Sequence, residues 1–167
     1  MAIFQPIFQI TLIIALILLI LLFCGQPLGY NNITSYFGPR KSPTTGKASY
    51  HYGLDIGAPT GSNIIAICSG QVTFTGFNGA NGFTVTITAN NLTISYSHVS
   101  PTFLVYNGQY INQGEVIATV GPKNVYGVPN NPYKDSNGNP TNGSTTGPHL
   151  HLSIKKDGKA VNPLNYY

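Results

Sequence analysis

Residues 83–97 read FTVTITANNLTISYS, with apolar and polar side chains alternating on both sides of an Asn-Asn pair. Successive side chains of a β-strand point to opposite faces, so a period of two predicts strands with one buried and one hydrated face. The pair Asn90-Asn91 between the two runs is a turn signal. This stretch therefore predicts two antiparallel strands joined by a tight turn.

The same pattern continues on both sides of this pair. Residues 71–75 also alternate, whereas residues 64–67 and 116–120 are more continuously apolar and are typical of more fully buried strands. Asn-Gly and Gln-Gly turn signals separate the segments, and no sustained helical period interrupts them. Short strands joined by tight turns predict an all-β domain of antiparallel strands arranged as two packed sheets.

The composition argues against several classes of protein. Eight Lys and Arg and four Asp and Glu make up 7% of the 167 residues and give a net charge of +4. A nucleic-acid-binding surface needs a denser stripe of basic residues, so we expect no nucleic-acid partner. Cys24 ends an apolar N-terminal run and Cys68 lies in a predicted strand, so no disulfide framework is expected.

The N-terminal segment has the length and the apolar character of a membrane-spanning helix. Residues 12–23 are uninterrupted apolar, and residues 2–24 reach about the 20 residues that a helix needs to cross a bilayer. The alternative is a cleaved signal peptide, which would have a basic start and small residues before the cleavage point. Neither feature is present, which favours an uncleaved anchor.

We therefore predict a single-pass transmembrane helix within residues 1–25, a linker at residues 26–33 and a domain on the outer side of the cell membrane. Secretion after cleavage of the segment is the alternative localisation.

Further along, residues 122–148 lack periodicity and are dominated by Asn, Pro and Gly. Loops this long are uncommon in compact domains unless they are functional or disordered. Because this loop leads into a histidine motif, we expect it to lie over the site of that motif.

All four histidines lie in three short motifs, HYGLD at 51–55, YSH at 96–98 and GPHLHL at 147–152. In a strand, residues i and i+2 share a face, so His149 and His151 should project together while the leucines after each point into the core. By the same rule, His98 should share a face with Ile94 and Tyr96 at the end of another strand.

These residue types suit a metal-dependent hydrolase. Imidazole and carboxylate are typical zinc ligands, and a catalytic zinc site has three protein ligands and one open position for water. Gly53 permits a bend that would bring His51 and Asp55 onto one metal. The remaining histidines are available as acid and base, since the free pKa of histidine lies near 6.5. Each motif alone is most often a surface feature, but the three together favour a reactive site.

The three motifs resemble those of peptidase family M23, the lysostaphin and LytM type of cell-wall endopeptidases. The similarity extends to the flanking blocks at residues 34–40, 56–61, 66–72 and 107–115, and the domain it indicates spans residues 34–167. The resemblance implies an antiparallel β fold with a groove across one sheet.

For the site, the resemblance implies zinc (Zn2+) bound by His51, Asp55 and His151. His149 is expected to be the base that activates the attacking water, with His98 as its partner. The substrate implied is the peptide part of bacterial peptidoglycan. The long loop at residues 122–148 departs from the shorter link usual before the last motif.

Other functions remain open. A catalytically inactive regulator on the same fold would act on other hydrolases. A tethered component of a phage or secretion assembly would use the same chemistry to open a passage through the wall. A sugar-binding β-sandwich with stacking tyrosines is a third possibility, and the concentration of histidines argues against it.

Overall fold

The computed structural model describes residues 26–29 and 32–167, and nearly all regular structure in them is β. The strands are β1 (Ile33–Ser35), β2 (Gly38–Lys41), β3 (Ala48–His51), β4 (Leu54–Gly57), β5 (Asn63–Ile65), β6 (Gly70–Phe77), β7 (Phe83–Ala89), β8 (Leu92–Ser97), β9 (Tyr110–Ile111), β10 (Val116–Thr119), β11 (His149–Lys156) and β12 (Lys159–Val161). Single turns of 3-10 helix cover Gly79–Asn81 and Pro163–Asn165.

The predicted membrane anchor at residues 1–25 lies outside the described residues. In the part of the chain that the structure describes, no helix has the length and hydropathy needed to cross a bilayer.

The main element is an antiparallel sheet of eight strands in the order β1-β4-β11-β8-β7-β6-β9, with β12 paired to β11. The stretch at residues 83–97 forms β7 and β8, whose register runs from Thr84↔Ser97 to Ala89↔Leu92. The prediction of two strands around a turn at Asn90 is confirmed, and Asn90 has the positive φ of 53° that such a turn uses.

The predicted arrangement of two packed sheets is correct only in part. Two smaller sheets, β5 with β10 and β2 with β3, accompany the one large sheet. Ile64 of β5 and Ile117 of β10 are fully buried and pack in the same core as the large sheet. The opposite face of the large sheet is polar, so the core lies on one side of that sheet only.

Apolar and polar side chains alternate along the central strands, so the core lies on one face of the large sheet and the site on the other. Every second residue is buried and apolar: Leu54 and Ile56 in β4, Val85 and Ile87 in β7, Ile94 and Tyr96 in β8, and Leu150, Leu152 and Ile154 in β11. The intervening residues form the polar face, on which His151 lies opposite Ser97 and Ser97 lies opposite Thr84. This face is the floor of the site.

Two segments outside the strands pack more closely than their sequence suggests. Leu28, within the predicted linker, is 1% exposed in the core, and the neighbouring Pro27 carbonyl accepts a hydrogen bond from the Ile65 N–H. Residues 122–148 fold back on themselves through the bridges Asn124↔Thr141 and Lys134↔Pro140. Both segments therefore belong to the folded domain.

Candidate metal centre

Three strands position the predicted metal ligands. His51 ends β3, Asp55 lies in β4 and His151 lies in β11. The pairing of β4 with β11 sets Asp55 directly opposite His151 on the polar face. The short connection from β3 to β4 returns His51 over the same pair, so residues about 100 positions apart in the chain meet.

Their donor atoms converge. His51 Nε2 lies 3.0 Å from His151 Nδ1, His151 Nδ1 lies 2.7 Å from Asp55 Oδ1, and His51 Nε2 lies 3.2 Å from the same Oδ1. A tetrahedral zinc ion with bonds of about 2.0–2.2 Å holds its ligand atoms about 3.3 Å apart. Two imidazoles and one carboxylate at these separations therefore fit a zinc ion with little adjustment.

A backbone carbonyl sets the tautomer of His51. Its Nδ1 lies 2.9 Å from the Tyr36 carbonyl oxygen, which can only accept, so Nδ1 carries the hydrogen. The lone pair of neutral His51 is then on Nε2, the atom that faces Asp55 and His151. A hydrogen bond to the other ring nitrogen of a metal-binding histidine orients that ligand and raises its basicity.

Gly53 lies at the bend between β3 and β4 that the sequence predicted, and its lack of a side chain also matters. Its φ is not positive. A Cβ at this position would lie 2.5 Å from Cε1 and 2.7 Å from Nε2 of His151, and 2.7 Å from the Leu152 carbonyl oxygen. The His151 ring therefore occupies the space that any larger residue would fill.

Asp55 is an ionised carboxylate with two differently bonded oxygens. Burial favours its neutral form, but its close contacts with the His151 and His51 rings outweigh that effect and hold the pKa of Asp55 well below its usual range. Oδ1 faces the histidines, while Oδ2 accepts a hydrogen bond from Arg40 Nη1 at 2.9 Å. Both ligand chemistry and local charge thus suit a divalent cation.

His149 lies beside the predicted metal ligands, with its Nε2 3.6 Å from Asp55 Oδ1. Its Nδ1 donates to the Gly147 carbonyl at 2.9 Å, so the lone pair of the neutral ring is on Nε2. Burial lowers the pKa of His149, although the charge of Asp55 opposes this. The ring is neutral at neutral pH and presents a proton acceptor beside Asp55.

The prediction that His98 shares a face with Ile94 and Tyr96 is wrong. Strand β8 ends at Ser97, and His98 has a φ of 59°, a left-handed conformation that is uncommon outside glycine. This conformation breaks the alternation, so Tyr96 stays in the core. The His98 ring instead lies over the polar face, 4.7 Å from the ring of His149 between centroids.

The long loop holds His98 in place. Its Nδ1 donates to the Asn142 carbonyl at 2.7 Å, and burial lowers the pKa of His98 to about 3, with the charges of His149 and His151 adding to the effect. Asn142 is itself fully buried, and its side chain accepts from the Phe83 N–H and donates to the Val99 carbonyl. No sequence signal marked Asn142, because the partners of its side chain are 43 and 59 residues away in the chain.

A cavity of about 690 Å³ is lined by four of the five predicted site residues, Asp55, His98, His149 and His151, while His51 is buried beside them. Its volume is within the usual range of ligand sites. One wall comes from the β2–β3 hairpin and includes Tyr50 and Tyr52, whose ring centroids are 4.9 Å apart. The other wall comes from the end of the long loop, through Ser144 and residues 146–148. That the loop at residues 122–148 as a whole lies over the site stays a prediction.

Comparison with known proteins gives a consistent result. Residues 49–163 match the sequence model of peptidase family M23. The chain is 34% identical over 141 residues to the DD-carboxypeptidase/endopeptidase Mpg of Neisseria meningitidis, a match that covers 84% of this chain and 28% of Mpg. It is also 31% identical over 135 residues to the murein hydrolase activator NlpD of Salmonella dublin, covering 74% of this chain and 30% of NlpD.

Among solved structures, the fold is similar to that of a zinc-containing peptidase from Vibrio cholerae. The TM-score is 0.63 with 28% identity, and the match covers 81% of this chain and 36% of that one. The chain spans between about a quarter and a third of the length of these curated relatives.

Proposed function

The chain belongs to peptidase family M23, and from this premise we propose that it is a zinc-dependent endopeptidase that hydrolyses peptide bonds in bacterial peptidoglycan. The observation that carries the proposal is the convergence of His51, Asp55 and His151 beneath a cavity that two further histidines also face. The similarity to Mpg, named as a carboxypeptidase and endopeptidase, supports the reaction class.

In this proposal, His51 Nε2, Asp55 Oδ1 and His151 Nδ1 hold the zinc. When bound, zinc lowers the pKa of a water molecule and polarises a carbonyl group. The protein contributes the orientation of its ligands. The Tyr36 carbonyl holds the His51 ring, and the absence of a side chain at Gly53 leaves room for the His151 ring.

We assign the base to His149. Its Nε2 carries a lone pair, lies 3.6 Å from Asp55 Oδ1 and lines the cavity, so it can take a proton from the attacking water and return it to the leaving amine. The His98 ring lies beside that of His149, but burial lowers the pKa of His98 to about 3, which makes it the weaker base. In our assignment His98 is a partner that orients water.

We further propose that residues 1–25 anchor the chain in the cell membrane as a single pass, with the domain on the outer side. Release by signal cleavage is the alternative. Membrane fractionation of the full chain, with mass spectrometry of its N-terminus, distinguishes the two. Recovery of an intact N-terminus in the membrane fraction supports the anchor, and a shortened soluble form supports secretion.

The enzyme proposal is tested by incubating the full chain with defined muropeptides and identifying products by mass spectrometry. We expect new amino termini within the peptide part, loss of cleavage with a zinc chelator, and recovery on adding zinc. His149→Ala and Asp55→Asn should each abolish cleavage. Asp157→Asn is the matched control, because Asp157 lies in the turn between β11 and β12, where it accepts a hydrogen bond from Asn91, and does not line the cavity. Wild-type cleavage by Asp55→Asn would contradict the proposal.

A regulator without catalysis is the second candidate, because the chain is also similar to a protein named as a murein hydrolase activator. The convergent donor set argues against it, since a protein that only binds a partner does not need these three residues together. A cellular phenotype that His149→Ala leaves intact would favour the regulator. Recovery of the chain in phage particles or a secretion complex would instead place the enzyme in such an assembly.

A further inference from the structure

Arg40 joins the predicted metal centre from the end of β2, where the sequence motifs had assigned it no role. Its Nη1 donates to Asp55 Oδ2 at 2.9 Å and to the Ser35 hydroxyl at 2.6 Å. The other oxygen of the carboxylate, Oδ1, faces the histidines. The two oxygens of Asp55 are therefore divided between the guanidinium and the metal position.

The supporting contacts come from one short segment. Ser35 is the register partner of Asp55 between β1 and β4, and its hydroxyl lies 3.3 Å from His51 Nδ1. The next residue, Tyr36, provides the carbonyl that holds the same ring. Residues 35–40 thus contact two of the three predicted ligands, and they precede the segment at residues 49–163 that matches the family model.

The Arg40 guanidinium hydrogen-bonds Asp55 and Ser35 through Nη1 and leaves another of its donors, Nε, unpaired. Its side chain is 27% exposed, and among the described residues Nε finds no hydrogen-bond partner although it is buried. A buried donor without an acceptor is unfavourable. The contacts of Nη1 therefore determine where the group lies.

We propose that Arg40 is a positioning residue that keeps Asp55 bound to the metal through Oδ1 alone, with Ser35 orienting the guanidinium. This inference rests on the proposed function, since it concerns the same zinc site. A carboxylate can bind a metal through one or both oxygens. Engagement of Oδ2 by Arg40 excludes the second mode, which keeps one position of the metal open for water.

Whether loss of Arg40 strengthens or weakens zinc binding distinguishes a positioning role from a purely electrostatic one. A cation near the site repels Zn2+, so removing it would strengthen binding if charge were the whole effect. Loss of a residue that hydrogen-bonds and orients a metal ligand instead weakens metal binding by roughly 10- to 100-fold. We therefore expect Arg40→Met, which keeps the apolar stem, to weaken zinc binding by that factor.

Zinc affinity is measured on the full chain by competition with a chromophoric chelator. Lys41→Met is the matched control, because it removes the same charge from the same cavity wall without contacting Asp55. We expect that control to bind zinc as tightly as wild type or more tightly. Arg40→Lys should recover part of the loss, because it restores a charged donor. Circular dichroism of the metal-free forms reports whether each variant folds.

Cobalt substitution gives a second readout that a folding defect alone would not produce. Four-coordinate Co2+ absorbs visible light more strongly than five-coordinate Co2+. We expect the absorption of Arg40→Met to fall as Asp55 binds through both oxygens, while Lys41→Met keeps the wild-type spectrum.

Zinc affinity of Arg40→Met equal to or above wild type, with an unchanged cobalt spectrum, would overturn the inference. If Arg40→Met does not fold, Ser35→Ala decides: weaker zinc binding supports the inference and wild-type binding overturns it. Failure of the proposed function looks different, because the wild-type chain itself would then bind no zinc or cleave no muropeptide.

Discussion

Replacing Gly53 by alanine should disable the metal centre through one added carbon. That carbon would lie 2.5 Å from Cε1 and 2.7 Å from Nε2 of the His151 ring. Carbon atoms in contact prefer about 3.5–4.0 Å, so the ring has to move by about 1 Å. The alternative is movement of the backbone, which is opposed because the Leu152 carbonyl lies 2.7 Å away within β11.

A displacement of about 1 Å at a reacting centre can cost about 100-fold in rate, and overpacking costs about 1–3 kcal/mol of stability. We expect Gly53→Ala to lower kcat/KM on a defined muropeptide by about that factor, to weaken zinc binding and to lower the free energy of unfolding. Gly147→Ala is the matched control for zinc binding and stability, because its added carbon meets nothing within 4 Å. Wild-type zinc affinity and stability in Gly53→Ala would refute the reasoning.

Three further predictions concern the frame around the site. Asn142→Ala leaves two backbone groups, the Phe83 N–H and the Val99 carbonyl, without partners. We expect the free energy of unfolding, measured by urea unfolding, to fall by about 2–6 kcal/mol, and a fall below about 1 kcal/mol would contradict this. Tyr96→Phe removes the hydroxyl that accepts a hydrogen bond from the Ile67 N–H at 2.9 Å. The same assay should show a fall of about 1–3 kcal/mol in the free energy of unfolding, and an unchanged urea midpoint would argue against the bond. Burial raises the pKa of Asp135, but hydrogen bonds from Asn124 and from two backbone N–H groups outweigh it and hold the pKa at about 2. Ionised Asp135 therefore stabilises the fold fully above about pH 4, and this stabilisation is lost as the pH falls towards 2. Asp135→Asn should make the free energy of unfolding depend less on pH between these values. A pH dependence equal to that of wild type would count against the contacts.

The Asp135 contacts also explain why the long loop was difficult to interpret from sequence. Its Oδ1 accepts from the N–H groups of Asn137 and Asn139, and its Oδ2 lies 3.4 Å from Lys123 Nζ. A segment rich in Asn, Pro and Gly has no period to indicate such contacts. Its order depends on hydrogen bonds between particular atoms, which composition does not specify.

The amino-acid sequence by itself determined the strand pattern and the polar face that carries His149 and His151, because side-chain alternation is a local property of the extended backbone. It also singled out Asp55 and the remaining histidines by residue type and scarcity. Only the tertiary structure decided where His98 points, because a left-handed residue at the end of β8 reverses the alternation.

The tertiary structure likewise decided that Arg40 contacts Asp55 and that the backbone carbonyl of Asn142 holds His98. These contacts join residues 15 and 44 positions apart in the chain. They exist because β-sheet register brings distant segments together, and register depends on the packing of the whole core rather than on any short stretch of sequence.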